Sequence, residues 1–192
     1  MKTTETITDT FNDGTILITG STGFLGKILT DKLLRSCGLL KTIAVLVRNK
    51  RGLTAEQRMT DMYNQVVFDR LRKRKPDFMN YIKVINGNIE EQSLGLSLTD
   101  RNWLIQNVNF VFHCAATVKF NEPLDLATKI NVLGTTNILA LAAEMKHLKG
   151  FVHVSTAYSH CPRNEIKEKY YPVPITSTEL SDLLEIDALT SE

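Results

Sequence analysis

The stretch Thr15-Ile16-Leu17-Ile18-Thr19, with glycines following at 20, 23 and 26, constrains the fold more than any other part of the chain. Its first five residues are β-branched or apolar throughout, the pattern of a strand buried on both faces. Beyond the glycines, Leu25, Ile28, Leu29, Leu33 and Leu34 recur at helical spacing, with Lys27, Asp31, Lys32 and Arg35 between them. That spacing predicts an amphipathic helix ending near Cys37-Gly38. A glycine turn between a buried strand and a helix N-terminus is an anion site, because free backbone N–H groups and the positive end of the helix dipole converge there. Gly20 allows the tight turn, Gly23 lets the backbone approach a pyrophosphate, and Gly26 lets helix and strand pack closely. The run Thr19, Gly20, Ser21, Thr22, Gly23, Phe24, Leu25 and Gly26 is therefore the candidate nucleotide cradle. Its spacing is G-x-x-G-x-x-G rather than G-x-G-x-x-G, and no Gly-Lys-Ser/Thr follows, so a P-loop is excluded.

A second buried-strand run, Thr42 to Val47, ends in Arg48-Asn49-Lys50-Arg51-Gly52. Arg48 lies 22 residues past Gly26. In dinucleotide-binding folds an acid near this distance holds the ribose 2′-hydroxyl of NAD, or an arginine accepts the 2′-phosphate of NADP. Here there is no acid, and Arg48, Lys50 and Arg51 stand together. Arg48 offers a planar fork to a phosphate and the other two add charge, so the expected cofactor is NADPH rather than NADH.

The remaining chain alternates helix and strand. Helices are expected at Ala55–Lys75, Leu98–Gln106 and Leu124–Met145, and strands at Tyr81–Ile85, Val108–His113 and Phe151–Ser155. Gly134 inside the long helix hints at close packing. Five strands alternating with helices imply an α/β fold: a doubly wound parallel sheet of the Rossmann type. Ligands of such sheets bind outside the carboxyl ends of the strands. Gly20–Gly26, Arg48, Asn88, Ala115-Ala116 and Ser155-Thr156 all follow strand ends, so they are expected along one rim.

The 192 residues suffice for one domain or most of one. Residues 1–13 read as a flexible lead-in, 14–175 as the nucleotide-binding domain, and 176–192 as an acidic helix and tail carrying five acids and no base. Residues 41–83 hold 11 Lys/Arg against 4 Asp/Glu. Much of that charge sits in Arg70, Arg72, Lys73, Arg74 and Lys75, a solvated helix end or a meeting point for a polyanion such as coenzyme A phosphates, an anionic membrane or RNA. No aromatics are interleaved there, which argues against nucleic acid. No run approaches the ~20 apolar residues of a membrane span. Cys37, Cys114 and Cys161 are odd in number and widely spaced, fitting neither a disulfide framework nor a metal site. The chain reads as intracellular and cytosolic.

Four motifs in this order resemble the extended short-chain dehydrogenase/reductases, and more closely the alcohol-forming fatty acyl-CoA reductases. They are Thr19-Gly20-x-x-Gly23-x-x-Gly26, Val111 through Phe120, Asn131-Val132-Leu133-Gly134-Thr135, and Phe151 through Tyr158. The resemblance covers roughly residues 13–175. It implies NADPH-dependent reduction of a long-chain fatty acyl-CoA to the alcohol. The glycine turn and Arg48-type cations would hold NADPH, and the residue at Asn88, usually Asp in the family, would contact the adenine. Ala115 and Ala116 would flank the nicotinamide ribose, Asn131 would belong to a proton relay, and Ser155 or Thr156 would hydrogen-bond the substrate carbonyl. Full-length relatives are associated with endoplasmic reticulum or peroxisomal membranes.

The resemblance has a gap. The family's proton donor is a tyrosine with a lysine four residues on, and none of Tyr63, Tyr81, Tyr158, Tyr170 and Tyr171 has that lysine. In the family the pair falls beyond Glu192. The chain therefore reads as the cofactor half of a reductase, inactive by itself, or alternatively as an inactive NADP(H)-binding module. Phe151 to Ser155, with nothing beside it, would be an open sheet edge inviting self-association.

Overall fold

A computed structural model describes residues 6–119, 121–180 and 182–183. Five parallel strands form one sheet in the order β3-β2-β1-β4-β5. The strands are β1 (Thr15–Thr19), β2 (Thr42–Val47), β3 (Ile82–Asn86), β4 (Phe110–His113) and β5 (Gly150–His153). The helices are α1 (Ile7–Thr10), α2 (Phe24–Ser36), α3 (Ala55–Tyr63), α4 (Asp69–Arg74), α5 (Leu98–Asn107), α6 (Leu124–Thr128) and α7 (Gly134–Glu144). The doubly wound sheet is thus as the alternation of the sequence predicts, with β1 in the middle.

Side-chain alternation along β1 sorts the core into two layers. Ile16 and Ile18 meet Leu33 and Leu34 of α2, Met59 and Met62 of α3, and Phe68, Leu71 and Phe78. Leu17 faces the other way, into Leu104 and Ile105 of α5 and Ile138, Leu141 and Ala142 of α7. Because both faces are covered, β1 is buried at all five residues.

Several boundaries differ from the sequence reading. The lead-in carries a short helix closed by a capping box between Thr6 and Asp9, and Phe11 meets the Phe110 ring edge-on at 5.0 Å. The single helix expected over Ala55–Lys75 is broken. β-branched Val66 and Val67 disfavour helix there, and they begin a 3₁₀ turn, Val66–Phe68. Tyr63 stacks edge-on against Phe68 and Phe78, at 5.0 and 5.3 Å, while Arg72 bridges the break by donating to the Tyr63 carbonyl and pairing with Asp69. The basic end of α4 then leads through a 3₁₀ turn, Phe78–Tyr81, into the start of β3. It therefore sits at the rim opposite the strand carboxyl ends.

The long helix expected over Leu124–Met145 is continuous but carries a π turn, Lys129–Leu133, between α6 and α7. Contrary to the sequence reading, Leu124–Glu144 is long and apolar enough by length and composition to cross a membrane, although Asp125, Lys129 and Glu144 interrupt it. Here Ile138, Leu141 and Ala142 pack on the sheet as they would in a core helix. A side chain at Gly134 would stand 3.0 Å from Ile89 Cδ1, the close packing its sequence hinted at. The expected acidic helix Thr176–Asp187 lies partly outside the described residues. Within them, Thr176 and Glu179 form a capping turn.

Candidate functional site

All five strands point their carboxyl ends at one rim, and a cleft of about 510 Å³ opens there. Its walls come from the turn after β1 (Thr19, Gly20, Thr22, Gly23), the loop after β2 (Arg48, Lys50) and the first turn of α3 (Arg58). The loop after β3 adds Asn88 and Glu90, and the segment after β4 adds Ala115, Ala116, Thr117, Lys119 and Glu122. The volume is within the range of small-molecule sites.

Two glycines of the turn are required by backbone approach. Gly20 has φ +69°, and a side chain there would lie 2.7 Å from the Ala115 nitrogen and the Cys114 carbonyl carbon. At Gly26 it would meet Ser21 Cα at 2.6 Å and the Gly20 carbonyl closer still. Gly23 is different: its φ is −80°, and an added Cβ would meet only the Gly20 oxygen, at 3.2 Å. Gly20 and Gly26 hold the turn together, and Gly23 faces the cleft.

The N-terminus of α2 makes no side-chain capping hydrogen bond and has no acid in its first turn. By contrast, α3 is capped by Thr54 and α5 by Ser97. The first-turn N–H groups of α2 thus remain for an anion in the cleft. Cations line the facing wall. Arg58 donates to the Arg48 carbonyl and to Thr22 Oγ1, the latter at 3.2 Å, tying the β2 loop to the glycine turn. Arg48, burial and the nearby Arg51, Arg58 and Lys119 pull the Lys50 ammonium below its usual range. Burial and then Arg48 lower Arg58 in the same way. Cations that depress one another form a site where a polyanion relieves repulsion. This donor set fits the phosphates of a nicotinamide dinucleotide.

Under the turn runs a closed hydrogen-bond chain. The Ala115 N–H donates to Thr19 Oγ1 (3.3 Å), and Thr19 Oγ1 lies 2.6 Å from His113 Nδ1. His113 Nε2 lies 3.1 Å from Thr135 Oγ1, which donates to the Asn131 carbonyl at 2.7 Å. Thr135 spends its one hydroxyl proton on the Asn131 carbonyl, so it accepts from Nε2–H, and a neutral ring with its proton on Nε2 accepts at Nδ1. Thr19 donates to Nδ1, and Nε2–H donates to Thr135. Burial, and then His153, push the fully buried imidazole down to about 4, so it stays neutral.

The expected site residues do not all meet. Thr19, Gly20, Thr22, Gly23, Arg48, Lys50, Asn88, Ala115 and Ala116 line the cleft. Ser21 turns away into the core, with its hydroxyl 3.8 Å from Met59 Sδ. Phe24 and Leu25 are exposed on α2, outside the cleft lining. Gly26 acts through turn packing, and Arg51 lies in an adjoining groove with Asn49 and Glu91. Asn88 makes a local turn, its amide on Glu91 and its carbonyl oxygen accepting from the Glu90 N–H. Asn131 uses its amide in both directions on the Thr117 backbone, at 2.8 and 3.1 Å. Ser155 and Thr156 are exposed and outside the cleft lining, and Thr156 caps the Tyr158 N–H.

Sequence reasoning missed Arg58, Glu90, His113, Lys119 and Glu122. Arg58 had a usable signal: the Thr54–Gln57 capping box starts α3 at the rim, so a cation one turn in faces the cleft. His113 had one too, as a polar residue ending an apolar strand. Glu90 carried none, because it meets Arg48 across 42 residues.

Comparison with known proteins gives a consistent picture. The family model for NAD-binding proteins described as "Male sterility protein" matches residues 18–189. Fatty acyl-CoA reductase 1 of Mus musculus is 47% identical over 170 residues, 88% of this chain and 33% of the relative. Fatty acyl-CoA reductase 2 of Homo sapiens is 38% identical over 180 residues, 94% of this chain and 35% of the relative. The chain spans about a third of the length of the curated relatives it matches. Among solved structures, the terminal R domain from the myxalamid PKS-NRPS biosynthetic pathway superposes with a TM-score of 0.60 at 31% identity. That match covers 74% of this chain and 35% of the other.

Proposed function

The chain belongs to the NAD-binding family described as male sterility protein, that of the fatty acyl-CoA reductases, and from that premise we propose that it is the NADPH-binding part of a reductase of long-chain fatty acyl-CoA. The observation that carries the reading is the uncapped N-terminus of α2 opening on a cleft walled by Arg48, Lys50, Arg58 and Lys119. The helix N-terminus takes the pyrophosphate. Arg48, Lys50 and Arg51, with Arg58 behind them, take the 2′-phosphate. Asn88 lies beside the adenine, and Ala115 and Ala116 leave room for the nicotinamide ribose. When bound, NADPH supplies the hydride. Asn131 fixes the Thr117 backbone and serves the proton relay, and Ser155 or Thr156 donates to the acyl carbonyl.

A second reading is an NADP(H)-binding module without turnover. It draws on the exposure of Ser155 and Thr156 and on the use of the Thr156 hydroxyl by the Tyr158 N–H. Titration calorimetry tests the cofactor assignment. Arg48→Ala should weaken NADPH binding by about 1–3 kcal/mol, the scale of a charge-assisted hydrogen bond, and leave NADH nearly unchanged; equal losses for both would remove the assignment. The 192-residue chain should consume no NADPH with long-chain acyl-CoA, since a placed general acid contributes roughly 10²–10⁴-fold. Turnover within tenfold of a full-length relative's would show that another residue supplies the proton.

A further inference from the structure

The cations after β2 are not alone in the folded chain. Glu90, on the loop after β3, forms an ion pair with Arg48 inside the cleft. We propose that Glu90 is a specificity-determining residue: it competes with a 2′-phosphate for the Arg48 guanidinium, and so sets how strongly the cleft prefers a phosphorylated adenosine ribose over an unphosphorylated one. The inference rests on the nicotinamide-dinucleotide reading of the cleft and goes beyond it by naming what limits the preference.

Three observations support it. The Glu90 side chain is only 15% exposed against 40% for Arg48, so the acid is the more deeply set of the two and is no solvated stray. Its backbone is clamped. Ile89 is buried in the core, Asn137 Nδ2 donates to the carbonyls of Ile89 (2.9 Å) and Glu91 (3.2 Å), and the Glu90 N–H donates to Asn88 Oδ1. A loop so fixed keeps the Glu90 carboxylate within reach of Arg48 when a ligand arrives. The other acid of the cleft, Glu122, accepts from Thr117 Oγ1 and faces Lys119, so Glu90 is the acid that addresses Arg48. A dianionic phosphate brought to Arg48 meets a like charge beside it. A ribose 2′-hydroxyl meets an acceptor instead. Specificity is a difference of affinities, and a repulsive group acts on it as directly as an attractive one.

The experiment measures the affinities of NADPH and NADH for the wild-type chain, Glu90→Gln and Glu90→Ala, by titration calorimetry, with circular dichroism to confirm each fold. Glu90→Gln should tighten NADPH about tenfold, the scale of one like charge removed from a partly exposed site, while NADH stays the same or weakens. Glu90→Ala should move the ratio of the two affinities the same way, and it carries the test if Glu90→Gln does not fold. An unchanged ratio in a folded variant that still binds NADPH overturns the inference alone. A wild-type chain that binds neither cofactor overturns the nucleotide reading, and the inference with it.

Discussion

β1 and β5 lie in the same parallel sheet and end at the same rim, yet they are built to different degrees. β1 is buried at every residue, between β2 and β4 and under helices on both faces. β5 is half-buried or exposed throughout and pairs only with β4 among the described residues. After β1 the chain enters a turn locked by two glycine approaches and then an uncapped helix N-terminus. After β5, Ser155 and Thr156 stay exposed, and Thr156 uses its hydroxyl on a neighbouring amide. The side of the rim proposed to bind phosphate is therefore fixed by contacts among these residues. The groups proposed to meet the acyl carbonyl hold no such fixed geometry.

The turn after β1 is where that contrast can be broken most severely. Gly26→Ala should cost ~3 kcal/mol or more, because its Cβ would press on backbone at Gly20 and Ser21 rather than on a flexible side chain. Gly23→Val should leave the chain folded, since the only contact of its Cβ is a carbonyl at 3.2 Å, and yet abolish NADPH binding by filling the space in front of the α2 N-terminus. Circular dichroism melts and calorimetric titration on both variants separate the two roles. If Gly23→Val bound NADPH as the wild type does, the turn would be structural only.

This difference between glycines also marks how far the sequence could be read. The sheet, its five strands and the turn were legible because β-branched runs, helical periodicity and glycine spacing are local signals. The roles within the turn were not, because they depend on what lies opposite. Ser21 sits among cleft residues in sequence but points at Met59 of α3. The break after Tyr63 was hidden by the absence of Gly or Pro, and an aromatic cluster with Phe78 folds the chain back there. Glu90 reaches Arg48 only through the folded sheet, across 42 residues.

His113 joins the two regions. It hydrogen-bonds Thr19 at the end of β1 and stacks on His153 at the end of β5, with ring centroids 5.4 Å apart. With its pKa pushed down to about 4 by burial and then by His153, the folded chain keeps it neutral while the unfolded chain takes up a proton below about pH 6.5. Its contribution is full above that value and is lost as pH falls toward 4. The loss is at most about 1.4 kcal/mol per pH unit, or ~3 kcal/mol in all. Urea unfolding of wild type and His113→Gln between pH 7 and 4.5 should show the wild-type advantage narrowing with acid. The carboxylates common to both chains cancel in that difference. An advantage constant with pH would mean that the imidazole is not held neutral.

The gentlest test puts one substitution on both kinds of strand. Val45 of β2 is fully buried and Val152 of β5 is 46% exposed, and Val→Thr keeps the shape while exchanging a methyl group for a hydroxyl. At Val45 the hydroxyl loses water with no partner designed for it, so the cost should be about 1–3 kcal/mol. At Val152 the hydroxyl stays wet and the change should fall within ~0.5 kcal/mol. Thermal and urea unfolding at low protein concentration give both numbers. Equal costs would mean that β5 is covered in solution. A cost at Val152 that grows with protein concentration, beside a matching shift in sedimentation, would assign the cover to a second copy paired along the open edge.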